Sequence, residues 1–197
     1  MGELIGGYQK KKKAIESRIR EFKNAGRKEK FYELCFCILT PQSSARKCDN
    51  AVNELKKVNF RNVNIDPKLI LRKNGVRFHN NKSKYLIEMK EKYSSIKLNG
   101  NSPASRDFLV ANIKGLGLKE ASHFLRNVGY SNLAILDRHI LKNLVRHKVI
   151  NEIPKSLSRK NYLEIEGKFI RFADRINIPM DHLDLLFWSF ETGEVFK

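Results

Sequence analysis

The segment Ile113-Lys114-Gly115-Leu116-Gly117-Leu118-Lys119-Glu120-Ala121 decides the fold class, because it is typical of a tight hairpin between two helices. Two glycines around one apolar residue permit backbone conformations that other residues avoid, and Leu116 would anchor the turn in the core. Amide groups at the start of the second helix, together with its dipole, would suit a phosphate. An ordinary glycine-containing helix connection is the alternative.

The sequence around the hairpin predicts helices almost throughout. Asp66-Pro67 and Ser102-Pro103 each combine a capping residue with a first-turn proline, which is a helix start signal. Alternation of the kind found in strands is not sustained anywhere, so we predict an all-α fold. The predicted helices cover residues 8–24, 28–39, 43–57, 66–74, 82–93, 102 up to the hairpin, 118–128, 137–146, 158–176 and 179–190.

Composition points to a folded protein with a polyanionic partner. The 197 residues are 41% hydrophobic, enough to bury a core and too apolar for the disordered class. The 39 Lys and Arg residues outnumber the 21 Asp and Glu residues, which gives a formal net charge of +18. Nucleic acid is the leading candidate for the partner. A basic protein that is merely soluble is the alternative.

No apolar run approaches the roughly 20 residues that cross a bilayer, and the N-terminus has no signal-peptide core. We therefore expect a cytosolic protein with no membrane partner. Cys35 and Cys37 alternate within an apolar run, so they should be buried as small hydrophobic residues. Together with Cys48 they suggest neither a disulfide framework nor a metal site.

Lys119 and Asp137 are the candidate catalytic pair. Lys119 follows the second glycine by two residues, where the helix start, cations such as Lys114 and apolar neighbours would favour a neutral, nucleophilic amine. Asp137 follows three apolar residues, so capping a helix is its simplest role. It could also steer the lysine, accept its proton or stabilise a sugar cation. A surface lysine that only neutralises phosphate is the alternative.

Gly115, Gly117, Lys119 and Ala121, followed by Asp137, form a pattern that resembles the bifunctional branch of the helix-hairpin-helix DNA glycosylases. More narrowly, the chain is similar to the archaeal-type 8-oxoguanine DNA glycosylase/AP lyases. That narrower similarity lies in residues 33–40, 112–130 and 183–193. The resemblance spans most of the chain.

The resemblance implies a helical fold of two lobes, with DNA bound across the cleft. Residues 1–28 and 132–197 would form the first lobe and residues 29–131 the second. The helix-hairpin-helix motif would occupy about 103–129. Gly115, Gly117 and Lys114 would then contact the DNA backbone.

The resemblance also implies the chemistry. The damaged nucleotide would be flipped out of the duplex, and Lys119 would attack C1′ of its sugar and displace 8-oxoguanine. The resulting Schiff base would nick the strand by β-elimination, with Asp137 assisting activation and charge stabilisation. The enzyme would therefore combine DNA N-glycosylase and AP lyase activities in base excision repair.

Recognition of the base would fall, by the same resemblance, on Phe78, Trp188 and the terminal residue Lys197. An aromatic sandwich holds any base, whereas the extra N7 hydrogen of 8-oxoguanine needs an acceptor, which the terminal carboxylate supplies. Core packing is the alternative for both aromatic residues. Gln42, which follows Thr40-Pro41, is a candidate wedge for the gap that the flipped base leaves.

Two departures from the wider superfamily matter. The cysteine quartet of its iron-sulfur members is missing after the C-terminal helices, so we expect no cluster. Lys114 stands where a proline usually precedes the first glycine, which makes the loop less rigid but adds a cation.

We expect no cofactor, apart from a monovalent cation that hairpin carbonyls could hold. The expected substrate is double-stranded DNA containing 8-oxoguanine, and we expect a monomer in a prokaryotic cytoplasm, associated with the nucleoid. The alternatives are the same lysine chemistry on another damaged base and a non-catalytic helix-hairpin-helix module that binds DNA.

Overall fold

The structure is a computed structural model that describes residues 2–197. Within this range the chain is helical and contains no strand, so the all-α prediction is confirmed. A short 3-10 turn lies at Tyr93–Ser95. The helices are α1 (Gly2–Lys23), α2 (Arg27–Leu39), α3 (Ala45–Lys57), α4 (Lys68–Lys73), α5 (His79–Lys92), α6 (Ser102–Asn112), α7 (Leu118–Arg126), α8 (Arg138–Arg146), α9 (Arg159–Arg175) and α10 (Met180–Thr192).

Two predicted helix starts are wrong. Helix α1 begins at Gly2 rather than at residue 8, because Leu4 and Tyr8 extend its buried face toward the N-terminus. Helix α5 begins at His79 rather than at residue 82. It follows directly on Phe78, whose left-handed backbone (φ 57°) turns the chain into the helix. Apolar periodicity alone does not show such a turn.

The chain forms two compact units. We call residues 25–124 the hairpin unit, and we call residues 2–24 with 125–197 the terminal unit. The lobe boundaries expected from the sequence, after 28 and after 131, lie a few residues from these divisions. Helix α7 begins in the hairpin unit and ends in the terminal unit.

Helix α2 is the centre of the hairpin unit. It is apolar nearly all round, as expected for a helix covered on every side, and it packs against α3 and α5. Cys35 and Cys37 on this helix are fully buried, as is Cys48 on α3, and all three are free thiols. The prediction that Cys35 and Cys37 act as small buried hydrophobic residues is therefore confirmed.

Helix α10 organises the terminal unit by packing against α1, α8 and α9. The ring of Phe187 on α10 stacks on Phe169 of α9, with ring centroids 5.9 Å apart, and on His147, at 5.4 Å. Leu183 and Leu186 are also fully buried. The core of this unit thus fixes the helix that carries Trp188.

Candidate functional site

The hairpin between α6 and α7 needs glycine at position 115. Gly115 has a φ of 89°, in the left-handed region that favours glycine, and a Cβ placed there would lie 2.8 Å from Cδ2 of Tyr85. The side chain of Leu116 is buried, so the predicted anchoring of the turn is confirmed. The two helices of the motif are joined by Arg106, which donates to Oγ of Ser122 at 3.2 Å.

The backbone N–H of Gly117 already has a hydrogen-bond partner within the protein, contrary to the expectation that both glycines of the turn contact phosphate. Its N–H donates to Oε2 of Glu120 at 3.2 Å. This is the capping-box arrangement, in which a glutamate three residues into the helix reaches back to the residue before it. The first amides of α7 itself have no partner within the helix, so they remain the natural phosphate donors.

Lys119 lies in the first turn of α7 with about a third of its side chain exposed. Its Nζ contacts Oε1 of Glu120 at 2.9 Å. The Glu120 side chain is only 11% exposed, so this ion pair is partly shielded from water. Sequence analysis did not single out Glu120. The sequence feature that could have identified Glu120 is its position three residues after the second glycine, which is the spacing of a capping box.

Lys114, on the other side of the turn, points into solvent. Its side chain is 67% exposed, and its Nζ contacts Oε2 of Glu88 at 2.9 Å. Hydrogen bonds from Lys92 and Lys114 hold the pKa of Glu88 below its usual range. Lys114 is therefore a mobile surface cation that could exchange its carboxylate partner for a DNA phosphate.

Three predicted site residues, Gln42, Phe78 and Gly115, line one shallow pocket in the hairpin unit. Gln42 (φ 55°) and Phe78 (φ 57°) both have left-handed backbones, which cost of order 1 kcal/mol each for residues other than glycine. Both side chains are exposed, so core packing, the alternative for Phe78, is excluded. The other residues of the pocket are Ile38, Pro41, Asn81, Lys82 and Tyr85.

Lys82 is a second residue that sequence analysis missed. It is 4% exposed, and its Nζ donates to the carbonyl oxygens of Leu39 and Pro41, each at 2.7 Å, and to Oγ of Ser43 at 2.9 Å. All three ammonium hydrogens can thus be used to fix the loop that carries Gln42. The sequence feature that could have identified Lys82 is its position on the apolar face of α5, four residues before Leu86.

Asp137 caps α8, as its position after three apolar residues indicates. Its Oδ1 accepts hydrogen bonds from the backbone N–H groups of His139 and Ile140, both at 2.8 Å. These two bonds satisfy donors that the first turn of a helix leaves without intrahelical partners. The cap employs one oxygen only, which leaves Oδ2 for another role.

Trp188 and Lys197 lie on either side of Phe196 in the terminal unit. The rings of Trp188 and Phe196 are 5.9 Å apart, and Nζ of Lys197 lies 5.8 Å from the Phe196 ring. Phe196 is 8% exposed. The buried ring of Phe196 ties this end of the described chain to Trp188, which counteracts the fraying that is usual at chain ends.

Asp184 is the buried carboxyl group of the same unit. Its Oδ1 accepts a hydrogen bond from Nη1 of Arg126 at 3.1 Å, and both side chains are almost fully buried. Burial raises the pKa of Asp184 to about 7 against the opposing effect of the Arg126 guanidinium, and the charges of Asp137 and Asp181 add to the increase. Arg126 lies in α7 and Asp184 in α10, so this pair joins the end of the hairpin helix to the helix of Trp188.

Across residues 2–197, no group of three or more His, Cys, Asp or Glu side chains is arranged to hold a metal ion. No helix in the described part of the chain is long and apolar enough to cross a membrane.

The predicted site residues are divided between the two units. The hairpin unit contains Lys119, Gly115, Phe78 and Gln42, and the terminal unit contains Asp137, Trp188 and Lys197.

Comparison with known proteins gives consistent results. A family model described as 8-oxoguanine DNA glycosylase matches residues 15–178. The 8-oxoguanine DNA glycosylase/AP lyase of Fusobacterium nucleatum subsp. nucleatum is 45% identical over 204 residues, covering 96% of this chain and 94% of that relative. The protein of the same name from Methanocaldococcus jannaschii is 40% identical over 196 residues, covering 94% and 93%.

Solved structures show the same similarity. The crystal structure of the M. jannaschii 8-oxoguanine glycosylase/lyase in complex with 15mer DNA containing 8-oxoguanine has a TM-score of 0.88 at 38% identity, with all of both chains covered. The 8-oxoguanine DNA glycosylase of Thermotoga maritima has a TM-score of 0.90 at 36% identity, covering 100% of this chain and 97% of the other. The similarity therefore extends over the whole chain in both sequence and fold.

Proposed function

The chain belongs to the 8-oxoguanine DNA glycosylase family, and from this premise we propose that it excises 8-oxoguanine from double-stranded DNA and then nicks the strand at the same site. The observation that carries the proposal is the position of Lys119. It is a partly exposed amine in the first turn of the helix that follows the glycine hairpin. The first amides of that helix can hold a phosphate next to the lysine.

In the proposed reaction, Nζ of Lys119 as a free amine attacks C1′ of the flipped nucleotide. The C1′–N9 bond breaks, and 8-oxoguanine leaves with the bonding electron pair and takes up a proton. Opening of the sugar ring gives a Schiff base between Nζ and C1′. Loss of a proton from C2′ then expels the 3′ phosphate by β-elimination. The lysine supplies the nucleophile and the electron sink, so we propose that these steps need no cofactor, while a monovalent cation could still be held by the hairpin carbonyls.

Asp137 is proposed to stabilise the positive charge that develops on the sugar as the base leaves. Its Oδ1 is fixed by two backbone amides, so the carboxylate is held in place before the reaction and Oδ2 is left for this role. A preorganised charge of this kind stabilises a transition state more than a mobile one. The cap therefore serves the chemistry as well as the helix.

Base recognition is proposed to involve Phe78, Trp188 and Lys197. Phe78 offers an exposed ring and Trp188 a partly exposed one, and each can stack on a base. The carboxylate of Lys197 is proposed to accept the N7 hydrogen that distinguishes 8-oxoguanine from guanine. Gln42, exposed at the tip of the loop that Lys82 fixes, is proposed to fill the gap in the duplex. We further propose that the protein acts as a monomer in the cytoplasm.

Borohydride trapping tests the proposal directly. We expect wild-type protein to form a covalent complex with a duplex that contains one 8-oxoguanine, and Lys119→Gln to form none. Lys114→Gln is the matched control, because it removes the same charge from the other side of the hairpin. Salt-sensitive DNA binding without trapping on any lesion would leave only a binding module. Trapping that is confined to another lesion would leave the chemistry but change the substrate.

A further inference from the structure

Glu120 contacts the proposed nucleophile and the hairpin at the same time. Its Oε1 lies 2.9 Å from Nζ of Lys119, and its Oε2 accepts the N–H of Gly117 at 3.2 Å. The whole residue is 8% exposed. One carboxylate therefore bridges the backbone of the turn and the amine that the turn is proposed to present.

Helix capping explains only half of this arrangement. A capping-box glutamate needs one oxygen to reach back to the amide before the helix, and Oε2 does so. Lys119 and Glu120 are adjacent in sequence, and adjacent side chains on a helix do not normally face each other. Their contact is thus not a routine result of helix spacing, and it directs the lysine side chain back toward the turn.

The charges around Glu120 favour this contact. Lys82 lies close enough for the charges of both Lys119 and Glu120 to affect its protonation. The buried carboxylate of Glu120 therefore lies among cations, which offsets the cost of burying it.

We propose that Glu120 is a positioning residue for the nucleophile. The hairpin amide fixes one of its oxygens, and the other oxygen holds Nζ of Lys119, so the amine keeps a set distance from the turn that grips the DNA phosphate. This inference rests on the proposed function, in which Lys119 is the nucleophile. Before attack the amine must leave the carboxylate, so Glu120 sets the position from which the attack begins.

The variant Glu120→Gln keeps the cap but removes the hold on the amine. The new side chain is the same size, and its oxygen can still accept from Gly117, so the capped helix should remain folded. Its neutral amide no longer pairs with Nζ of Lys119. We expect the maximal rate of amine attack to fall roughly tenfold, because the nucleophile is less well placed.

The measurement is single-turnover borohydride trapping at saturating protein on a duplex with a preformed abasic site. This substrate isolates amine attack from base excision. DNA affinity is measured in parallel and should be unchanged or tighter, because the variant removes a negative charge close to phosphate. Circular dichroism melting establishes that the variant is folded, and Glu120→Ala, which also loses the cap, should be both slower and less stable.

Glu88→Gln is the matched control. Glu88 pairs with Lys114, the other lysine of the hairpin, at the same distance of 2.9 Å. The control makes the same charge change beside the same turn, and we expect its maximal rate to match that of wild type.

A maximal rate for Glu120→Gln within twofold of wild type would overturn the inference, as would a loss of DNA affinity or of thermal stability that accounts for the slower rate. Failure of the proposed function is a different result. In that case wild type itself forms no trapped complex, or Lys119→Gln still traps. If wild type traps, Lys119→Gln does not, and Glu120→Gln behaves like wild type, only the role of Glu120 is lost.

Discussion

Lys82 in the hairpin unit and Asp184 in the terminal unit are both buried charged groups, but their partners differ in kind. Lys82 donates to three neutral oxygens of one loop, at 2.7, 2.7 and 2.9 Å. Asp184 has a charged partner, Arg126, and its Oδ2 has no hydrogen-bond partner within residues 2–197. The cation is fully hydrogen-bonded, and to neutral groups, whereas the carboxylate has a charged partner but is incompletely hydrogen-bonded.

This difference predicts opposite responses to pH. Burial lowers the pKa of Lys82 to about 8, below its unfolded value, so the hairpin unit gains stability as pH rises from about 8 towards 10. Burial raises the pKa of Asp184 to about 7, above its unfolded value. The terminal unit therefore loses stability as pH rises from about 4 to about 7. Near neutral pH, each unit therefore contains a buried charged group that lowers its stability. Lys82 fixes the loop that carries Gln42, and Asp184 lies on the helix that carries Trp188.

Replacing Lys82 should have the largest effect. Lys82→Met removes three hydrogen bonds from a charged donor, at roughly 1–3 kcal/mol each, partly offset by removal of the buried charge. The Leu39 carbonyl and the Ser43 hydroxyl keep one donor each, Sγ of Cys48 and the N–H of Arg77. We expect a net loss of about 2–4 kcal/mol in the free energy of unfolding. Urea unfolding measures the loss, and hydrogen exchange should show faster exchange of the amides in residues 40–44.

Lys90→Met is the control for this prediction. Lys90 lies on the same helix, and its Nζ donates to a single carbonyl, that of Val63, at 2.5 Å. We expect a smaller loss of stability and unchanged exchange in the loop. If the two variants lost the same stability and left the loop equally protected, the loop of Gln42 would not depend on the buried ammonium.

Asp184→Asn tests the other half of the comparison. Asparagine keeps an oxygen that can accept from Arg126 but cannot ionise, so it resembles the protonated form that burial favours. We expect the unfolding free energy of wild type to fall by on the order of 1–3 kcal/mol between pH 5 and pH 8, and that of the variant to change less. Asp174→Asn, which removes an exposed carboxylate of the same unit, should retain the slope of wild type. A parallel slope in Asp184→Asn would show that Asp184 remains charged throughout.

Local signals in the sequence were sufficient for the hairpin, the anchor Leu116, the cap by Asp137 and most helix starts, because each depends on residues a few positions apart. The contacts of Lys82 and the left-handed turn at Phe78 were not predictable in this way. Lys82 meets oxygens of residues 39–43 only after α2 and α5 have packed together. A lysine on an apolar helix face indicates a buried partner, but it does not identify that partner.

Removing the last residue should have the smallest effect and tests the proposed division of roles between the units. Deletion of Lys197 displaces the terminal carboxylate, so the N7 hydrogen of 8-oxoguanine loses its proposed acceptor. The loss of one hydrogen bond to a charged group should slow 8-oxoguanine excision roughly tenfold. Cleavage at a preformed abasic site, which has no base to recognise, should stay within twofold of wild type.

Lys197→Ala is the matched control, because it removes the side chain and leaves the terminal carboxylate in place. We expect it to retain excision, since the proposed contact is made by the main chain. Equal losses on both substrates in the deletion variant would place Lys197 in DNA binding or packing. A loss of excision in Lys197→Ala as large as in the deletion would assign recognition to the ammonium side chain. The proposed division of roles requires that only the deletion variant loses activity, and that it loses only excision of 8-oxoguanine. Base recognition would then be assigned to the terminal unit and the nucleophile to the hairpin unit.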